Sequence, residues 1–318
     1  MSLGSAPTTN PALIGDLVQP FKIEGQPARG RMVRLGPLLN AVLERHAYPG
    51  PVAALLTEML TLAACLAASL KFDGVFTLQT KGDGPISLMV ADFTSGGDAR
   101  GYAQFDAARL AALVAASADG VPSVPRLMGA GYLAFTVDQG PDTERYQGIV
   151  ELTGTTLVEC LHHYFRQSEQ FEAVIKLATA ETSDGRRSGA IMLQRLPPEP
   201  GLLDEAEDGW HRSLSFLASC TSAELLDPGI SPNDLLYRLF HEDGVRVFKP
   251  STLRAGCRCS RVRVEQVLRS LPAEELESFR IDGQIYVICE FCSARYDFED
   301  SEIAALHDGD RAGDSPQG

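Results

Sequence analysis

The sequence predicts an α+β fold: an N-terminal domain mixing helices with antiparallel strands, a helical linker, and a small cysteine-bearing module at the C-terminal end. Three observations carry this. Strand-like and helix-like segments alternate irregularly between Leu17 and Leu196, with no repeating strand–helix unit of the kind a doubly wound parallel sheet needs. Lys81-Gly82-Asp83-Gly84-Pro85 separates two alternating segments, which is hairpin chemistry and makes the flanking strands antiparallel. Four of the seven cysteines, Cys257, Cys259, Cys289 and Cys292, crowd into one stretch well past the break at Pro197-Pro198-Glu199-Pro200-Gly201.

The elements follow in order. Residues 1–16 read as a flexible, Ser/Pro/Thr-rich extension. The N-terminal domain spans 17–196. It opens with strands at Val18–Ile23 and Gly30–Leu35 and a helix at Leu38–His46. Pro51 sits where a first helical turn tolerates it and starts the apolar helix Val52–Leu70. Val75–Thr80 and Ile86–Asp92 form the hairpin. Ala107–Ala116 is helical, Tyr132–Asp138 and Tyr146–Leu152 form a second strand pair around Gly140-Pro141-Asp142, and Thr155–Ser168 is helical. The linker, 197–250, holds three short helical patterns, Leu202–Asp208, Trp210–Cys220 and Asn233–His241. Helices this short bury too little to stand alone, so the linker is expected to be metastable and to dock on something else. The cysteine module spans 251–306, and 307–318 is a flexible tail.

Composition narrows the function. The chain has 318 residues, 28 Lys+Arg against 42 Asp+Glu, and a net charge of −14. That balance disfavours nucleic-acid binding, which needs a basic surface, and docking on anionic lipid. Val52–Leu70 approaches the length of a membrane span, but it is rich in Ala and carries Glu58 near its middle, so a buried core helix is expected. Met1–Asn10 has neither a basic nor an apolar region of a secretory signal. The expected compartment is the reducing cytoplasm, where clustered cysteines indicate metal or redox chemistry. Cys65, Cys160 and Cys220 stand singly and read as buried structural residues.

The module reads Cys257-Arg258-Cys259, then Cys289-Glu290-Phe291-Cys292. Two close pairs of thiolates suit a single Zn²⁺, which prefers four soft ligands in a tetrahedron. Four protein ligands leave no open position, so hydrolytic chemistry is not expected and the chain is not read as an enzyme. A module this small has a thin core, to which metal binding can add on the order of 10 kcal/mol. Arg258, Arg261, Arg263 and Arg295 lie beside the cysteines, where they are expected to offset thiolate charge and lower thiol pKa values. Cys160 with His162-His163 is not a nucleophile–base pair, because adjacent histidines on a helix point apart. Gly82-Asp83-Gly84 is a turn and not a phosphate loop.

Three readings of the cysteines remain open on residues alone: a permanent zinc staple in a binding protein, a redox switch, and a thiol–disulfide oxidoreductase. Zinc thiolates can be oxidised. Cys289 and Cys292 can close a disulfide with ordinary loop geometry, whereas a bridge across Cys257 and Cys259 is tight. An oxidoreductase needs its Cys-x-x-Cys to open a helix within a βαβ unit, and only the strand Ile285–Ile288 is apparent.

Beyond these patterns the chain resembles the heat shock protein 33 family, the redox-regulated bacterial chaperones. Cys257-x-Cys259-Ser260, Cys289-x-x-Cys292, Tyr296 and Phe298 are similar to its zinc module. Arg29-Gly30, His46-Ala47-Tyr48-Pro49, Gly82-Asp83-Gly84-Pro85, Arg100-Gly101-Tyr102, Tyr146-Gln147-Gly148-Ile149-Val150 and Tyr164-Phe165-x-Gln167-Ser168-Glu169-Gln170 resemble its N-terminal domain. Leu236-Tyr237-Arg238-Leu239-Phe240-His241 resembles the end of its linker. The likeness covers about 17–306, and Ala255 departs from an aromatic residue usual in the family. The resemblance implies an ATP-independent holdase that binds unfolded or partly folded client proteins. It implies one Zn²⁺ per chain on Cys257, Cys259, Cys289 and Cys292 in a reduced, inactive monomer. It further implies that oxidation forms the Cys257–Cys259 and Cys289–Cys292 disulfides, releases zinc, unfolds the linker, exposes apolar surface and yields a homodimer.

Overall fold

The computed structural model describes residues 15–117, 122–140, 143–167, 172–197, 203–272, 275–276, 280–281 and 284–311. Most of the expected N-terminal extension, most of the Pro197–Gly201 break, and Pro141-Asp142 of the second strand pair lie outside them. The described residues fall into two compact units that divide between Ala255 and Gly256.

The first unit begins with strands β1 (Leu17–Ile23) and β2 (Ala28–Leu35) and helices α1 (Pro37–Leu43) and α2 (Gly50–Ala67). Strands β3 (Val75–Gly82), β4 (Ile86–Thr94) and β5 (Asp98–Phe105) follow, then α3 (Ala107–Ala115) and α4 (Val124–Met128). Next come β6 (Gly131–Asp138), β7 (Tyr146–Glu151), α5 (Leu157–Gln167), β8 (Ala173–Thr182) and β9 (Gly185–Arg195). Three helices, α6 (Leu203–Ser219), α7 (Ser222–Leu226) and α8 (Pro232–Phe240), lead to the short strands β10 (Val245–Val247), β11 (Ser251–Thr252) and β12 (Arg254–Ala255). The second unit holds α9 (Arg261–Arg269), β13 (Arg280–Ile281), β14 (Gln284–Ile288), β15 (Arg295–Phe298) and α10 (Asp300–Arg311). The α+β expectation holds.

Two sheets build the first unit. One runs β10-β1-β2-β9-β8, with β11 also paired to β1; the other runs β12-β5-β4-β3-β6-β7. Every pairing is antiparallel except β12 with β5. The predicted hairpin is β3–β4, in register from Val75↔Thr94 to Lys81↔Leu88. Its tip is fixed by Asp83, whose carboxylate accepts the Ala130 N–H at 2.8 Å. Strands β5, β8 and β9 were not expected; β5 alternates, but its buried positions are only the small residues Ala99, Gly101 and Ala103. The β8–β9 turn is the two residues Ser183-Asp184, followed by Gly185 at φ 103°, a left-handed conformation that favours glycine.

Helix α2 sits between the sheets. Val52, Leu56, Met59, Leu60 and Ala63 share one core with Val33, Ala190 and Met192 of the first sheet and Phe76, Leu78, Met89 and Ala91 of the second. A helix apolar all round is one buried on all sides. This one is long and apolar enough to cross a membrane, yet 78% of it is buried inside the unit. Glu58 is accounted for too: its carboxylate accepts the Val158 N–H at 3.3 Å, at the start of α5, where a helix dipole favours negative charge. Asp16 likewise accepts the Gly36 and Leu38 N–H groups at 2.7 and 2.8 Å at the start of α1.

The first sheet is covered on both faces. Side chains alternate along a strand, so Val18, Val33 and Met192 enter the α2 core, while Phe21, Ile23, Met32, Ile191 and Leu193 face the other way. That second face is covered by Trp210, Leu217, Leu225, Leu235, Leu236, Leu239 and Phe240 of α6–α8. The linker helices thus have a surface to dock on, although the two short patterns expected at Leu202–Asp208 and Trp210–Cys220 run together as the single 17-residue α6.

Candidate metal centre

Each cysteine pair is held by local structure that its neighbours encode. Cys257 and Cys259 lie just before α9, and Ser260 caps that helix by accepting the Arg263 N–H at 3.3 Å. Cys289 and Cys292 form the turn between β14 and β15, whose register runs from Ile285↔Phe298 to Ile288↔Arg295. The turn is closed by Cys289 N–H to the Ala294 carbonyl at 2.9 Å and Ser293 N–H to the Cys289 carbonyl at 2.8 Å. Ser293 adopts φ 58°, which bends the chain back on itself.

The fold brings all four sulfurs together, each within 4.8 Å of the others. The Sγ atoms of Cys257 and Cys289 are 3.7 Å apart, and those of Cys259 and Cys292 are 3.3 Å apart. Four sulfurs about 2.3 Å from one ion in a tetrahedron stand roughly 3.8 Å from each other. The set therefore fits a metal ion, with the two motifs interleaved around it. All four cysteines are partly exposed and unbridged.

Local donors favour thiolates here. Backbone N–H groups of Cys292 and Phe291 point at the Cys289 sulfur, and that of Ala294 at the Cys292 sulfur. Tyr296, known from the sequence only as part of a motif, donates its hydroxyl to Cys259 Sγ at 3.1 Å. That bond is the main reason its own pKa is pushed up to about 12. Burial, reinforced by the neighbouring thiols, pushes Cys292 up to about 12, and burial also raises Cys289. So compact a set of thiols is uncomfortable without a cation at its centre.

Three of the four arginines beside the cysteines in sequence have other partners. Arg261 stacks 4.5 Å above the Phe298 ring and pairs with Glu302 at 2.6 Å. Arg295 lies over Tyr286 and pairs with Asp297. Arg263 donates to the Arg258 carbonyl at 2.8 Å. They brace the module, and the Cys289 and Cys292 pKa values rise where a decrease was expected. The apolar core of this unit is small: Leu268, Leu276, Phe298 and Leu306 are buried together among the described residues.

Comparison with known proteins settles the lineage. Residues 16–299 match the Hsp33 protein family. The chain belongs to the Hsp33 family. It is 41% identical over 298 residues to a 33 kDa chaperonin of Caulobacter vibrioides, covering 92% of this chain and 96% of that one. It is 38% identical over 302 residues to a 33 kDa chaperonin of Ectopseudomonas mendocina, covering 93% and 96%. The crystal structure of the Hsp33 homologue of Thermotoga maritima shares the fold, with a TM-score of 0.77, 24% identity, and coverage of 94% of this chain and 99% of that one. As an Hsp33-family chaperone the chain binds client proteins, and its four clustered cysteines can hold a metal ion.

Cys65, Cys160 and Cys220 are buried. His162 Nε2 accepts the Ile175 N–H at 2.8 Å, and His163 pairs with Gln167 at 2.9 Å. Sequence reasoning missed the cations that hold the linker. Arg34, on β2, donates to the carbonyl oxygens of Glu224 and Leu225 at 3.2 Å each, and to that of Ile230. Lys176 Nζ, on β8, donates to the Ala218 carbonyl at 2.7 Å. Arg195, on β9, pairs with Glu172 and with Glu207 of α6, while Trp210 Nε1 donates to Glu172 at 3.0 Å. A charged residue inside an otherwise apolar alternation, as Arg34 is between Val33 and Leu35, was the available signal.

Proposed function

We propose that this chain is a redox-regulated, ATP-independent holdase of the cytoplasm. The observation that carries the reading is the sulfur cluster: four partly exposed thiols within 4.8 Å, in a unit with only five buried apolar side chains among the described residues. Cys257, Cys259, Cys289 and Cys292 hold one Zn²⁺ in the reduced state, which is the ion that four thiolates in a tetrahedron suit best. Bound there, zinc supplies charge neutralisation and folding free energy.

Oxidation pairs Cys257 with Cys259 and Cys289 with Cys292. Each pair of thiolates gives up two electrons to one molecule of hypochlorous acid, which leaves as chloride and hydroxide, or to one of hydrogen peroxide, which leaves as two hydroxides, and water takes up the hydroxide. Sulfurs tied in disulfides no longer hold the ion, and the small core left behind does not sustain the unit. The helices α6–α8 then leave the first sheet. Phe21, Ile23, Met32, Ile191 and Leu193 become available to unfolding clients, and exposed apolar surface of this kind drives the oxidised chain to dimerise. Reduced, the chain is monomeric and quiescent.

The deciding experiment measures aggregation of a heat-unfolding protein in the presence of the chain, first reduced and then oxidised, with zinc content and free thiols counted in the same samples. Suppression only after oxidation, with loss of four thiols and one zinc, is expected. Equal suppression in both states replaces the switch with a constitutive zinc-stapled binder. Turnover of insulin disulfides that depends on Cys289 and Cys292 makes the chain an oxidoreductase.

A further inference from the structure

The two longer-range cations beneath the linker share an unusual duty. Helix α6 ends at Ser219 and α7 at Leu226, and neither has a basic residue in its last turn. The unsatisfied carbonyls at a helix carboxyl end carry partial negative charge and call for a cation. Both helices receive theirs from the sheet they lie on. Lys176 donates to the Ala218 carbonyl at the end of α6, and Arg34 to the Glu224 and Leu225 carbonyls at the end of α7. Between and around them lie Phe21, Met32, Ile191 and Leu193. Arg34 is only 8% exposed, so it is a built-in socket and no surface ion pair.

We propose that this face of the first sheet is a receptor for amphipathic helices. Arg34 and Lys176 are its sockets for helix carboxyl ends, and the linker is its resident ligand. Once vacated, the face takes helical segments of partly folded clients, apolar stripe down and carboxyl end over a cation, in preference to extended chain. This rests on the reading above that the linker leaves the sheet. The partner chemistry is read from the present occupant: α6 and α8 lay apolar stripes on the sheet, and α6 carries Glu207 against Arg195. An acidic amphipathic helix is therefore favoured over a basic one.

The probe is a fluorescent peptide of residues 203–226 with Cys220→Ser, titrated by anisotropy into full-length protein. Two forms present the vacated face: the oxidised chain, and a reduced chain carrying Trp210→Asp and Phe240→Asp, which undocks the linker with no oxidant and leaves the sheet untouched. Both are expected to bind the peptide saturably, and reduced wild type, whose face is filled, about tenfold or more weakly. Lys176→Gln, at a partly exposed position that tolerates change, is expected to weaken binding about tenfold, as loss of a hydrogen bond from a charged donor does, and Lys176→Arg to restore it. Arg34→Gln acts in the same direction. A peptide carrying Leu214→Pro, which cannot complete the helix, is expected to bind at least tenfold worse. Equal binding of the proline peptide, indifference to Lys176→Gln, or no binding to the undocked chain overturns the receptor. If the undocked chain binds but the oxidised one does not, the receptor stands and release by oxidation fails.

Discussion

Phe21 of β1 and Phe240 of α8 stack with ring centroids 5.6 Å apart and planes 26° apart, tying the last linker helix to the sheet. Both rings are fully buried. Phe240→Ala removes one of the largest apolar anchors of the linker and is expected to cost about 3–5 kcal/mol at that interface. Limited proteolysis should cut within 203–240 in the reduced variant, and client aggregation should be suppressed without oxidant. Unchanged protease resistance would show that α8 is not the anchor.

The same ring leaves no room for a side chain at Gly30. Gly30 lies directly opposite Phe21 in the β1–β2 ladder, and a Cβ there would fall 2.1 Å from Phe21 Cζ. Gly30→Ala must displace the ring and, through it, Phe240. A loss of about 1–3 kcal/mol in urea unfolding is expected, with faster amide exchange in α8 before any change in α2.

Glu58 gives a pH dependence with a definite sign. Burial raises its pKa above the ordinary 4.5, against the lowering effect of the Val158 and Leu157 N–H groups. The folded chain therefore holds this proton more tightly than the unfolded chain. Stability from this group is present at low pH and is lost as pH rises through the folded pKa. Glu58→Gln keeps an acceptor for Val158 without the charge. Its midpoint should exceed that of wild type at pH 7, and the difference should shrink towards pH 4.5.

Thr80, in the middle of β3, is fully buried and its hydroxyl has no hydrogen-bond partner among the described residues. Thr80→Val replaces an unpaired hydroxyl by a methyl of the same shape. A gain of about 1 kcal/mol is expected in chemical denaturation, with client binding unchanged.

Cys289→Ser removes one of the four clustered thiols, the one at which two backbone N–H groups point. Purified protein should carry far less than one zinc per chain. The second unit, deprived of a contribution on the order of 10 kcal/mol, should lose its proton-NMR dispersion. Chelation of the wild type should reproduce this. Retention of full zinc by the variant would mean that three thiolates suffice.

Much of the candidate site was legible because its information is local. The Cys-x-Cys and Cys-x-x-Cys spacings, Ser260 after Cys259, and the strand before Cys289 each act within a few residues. The hairpin around Asp83 and the apolar helix α2 were legible for the same reason. Strands β8 and β9 were not. The first sheet is covered on both faces, so β9 runs buried from Ser188 to Gln194 and shows no alternation to read. Arg261 misled, because proximity in sequence to a thiolate says nothing of nearer partners such as Glu302 and Phe298.

By itself the sequence determined the class of fold and the family, and it singled out the four cysteines that the fold gathers, since these are set by residue type, spacing and period. Only the tertiary structure decided that Cys257 neighbours Cys289 and Cys259 neighbours Cys292. It alone set Tyr296 against Cys259, and seated the carboxyl ends of α6 and α7 on Lys176 and Arg34. Those contacts join residues 32 to 191 positions apart. Which distant groups meet is fixed by how whole sheets and helices pack, a choice no local preference encodes.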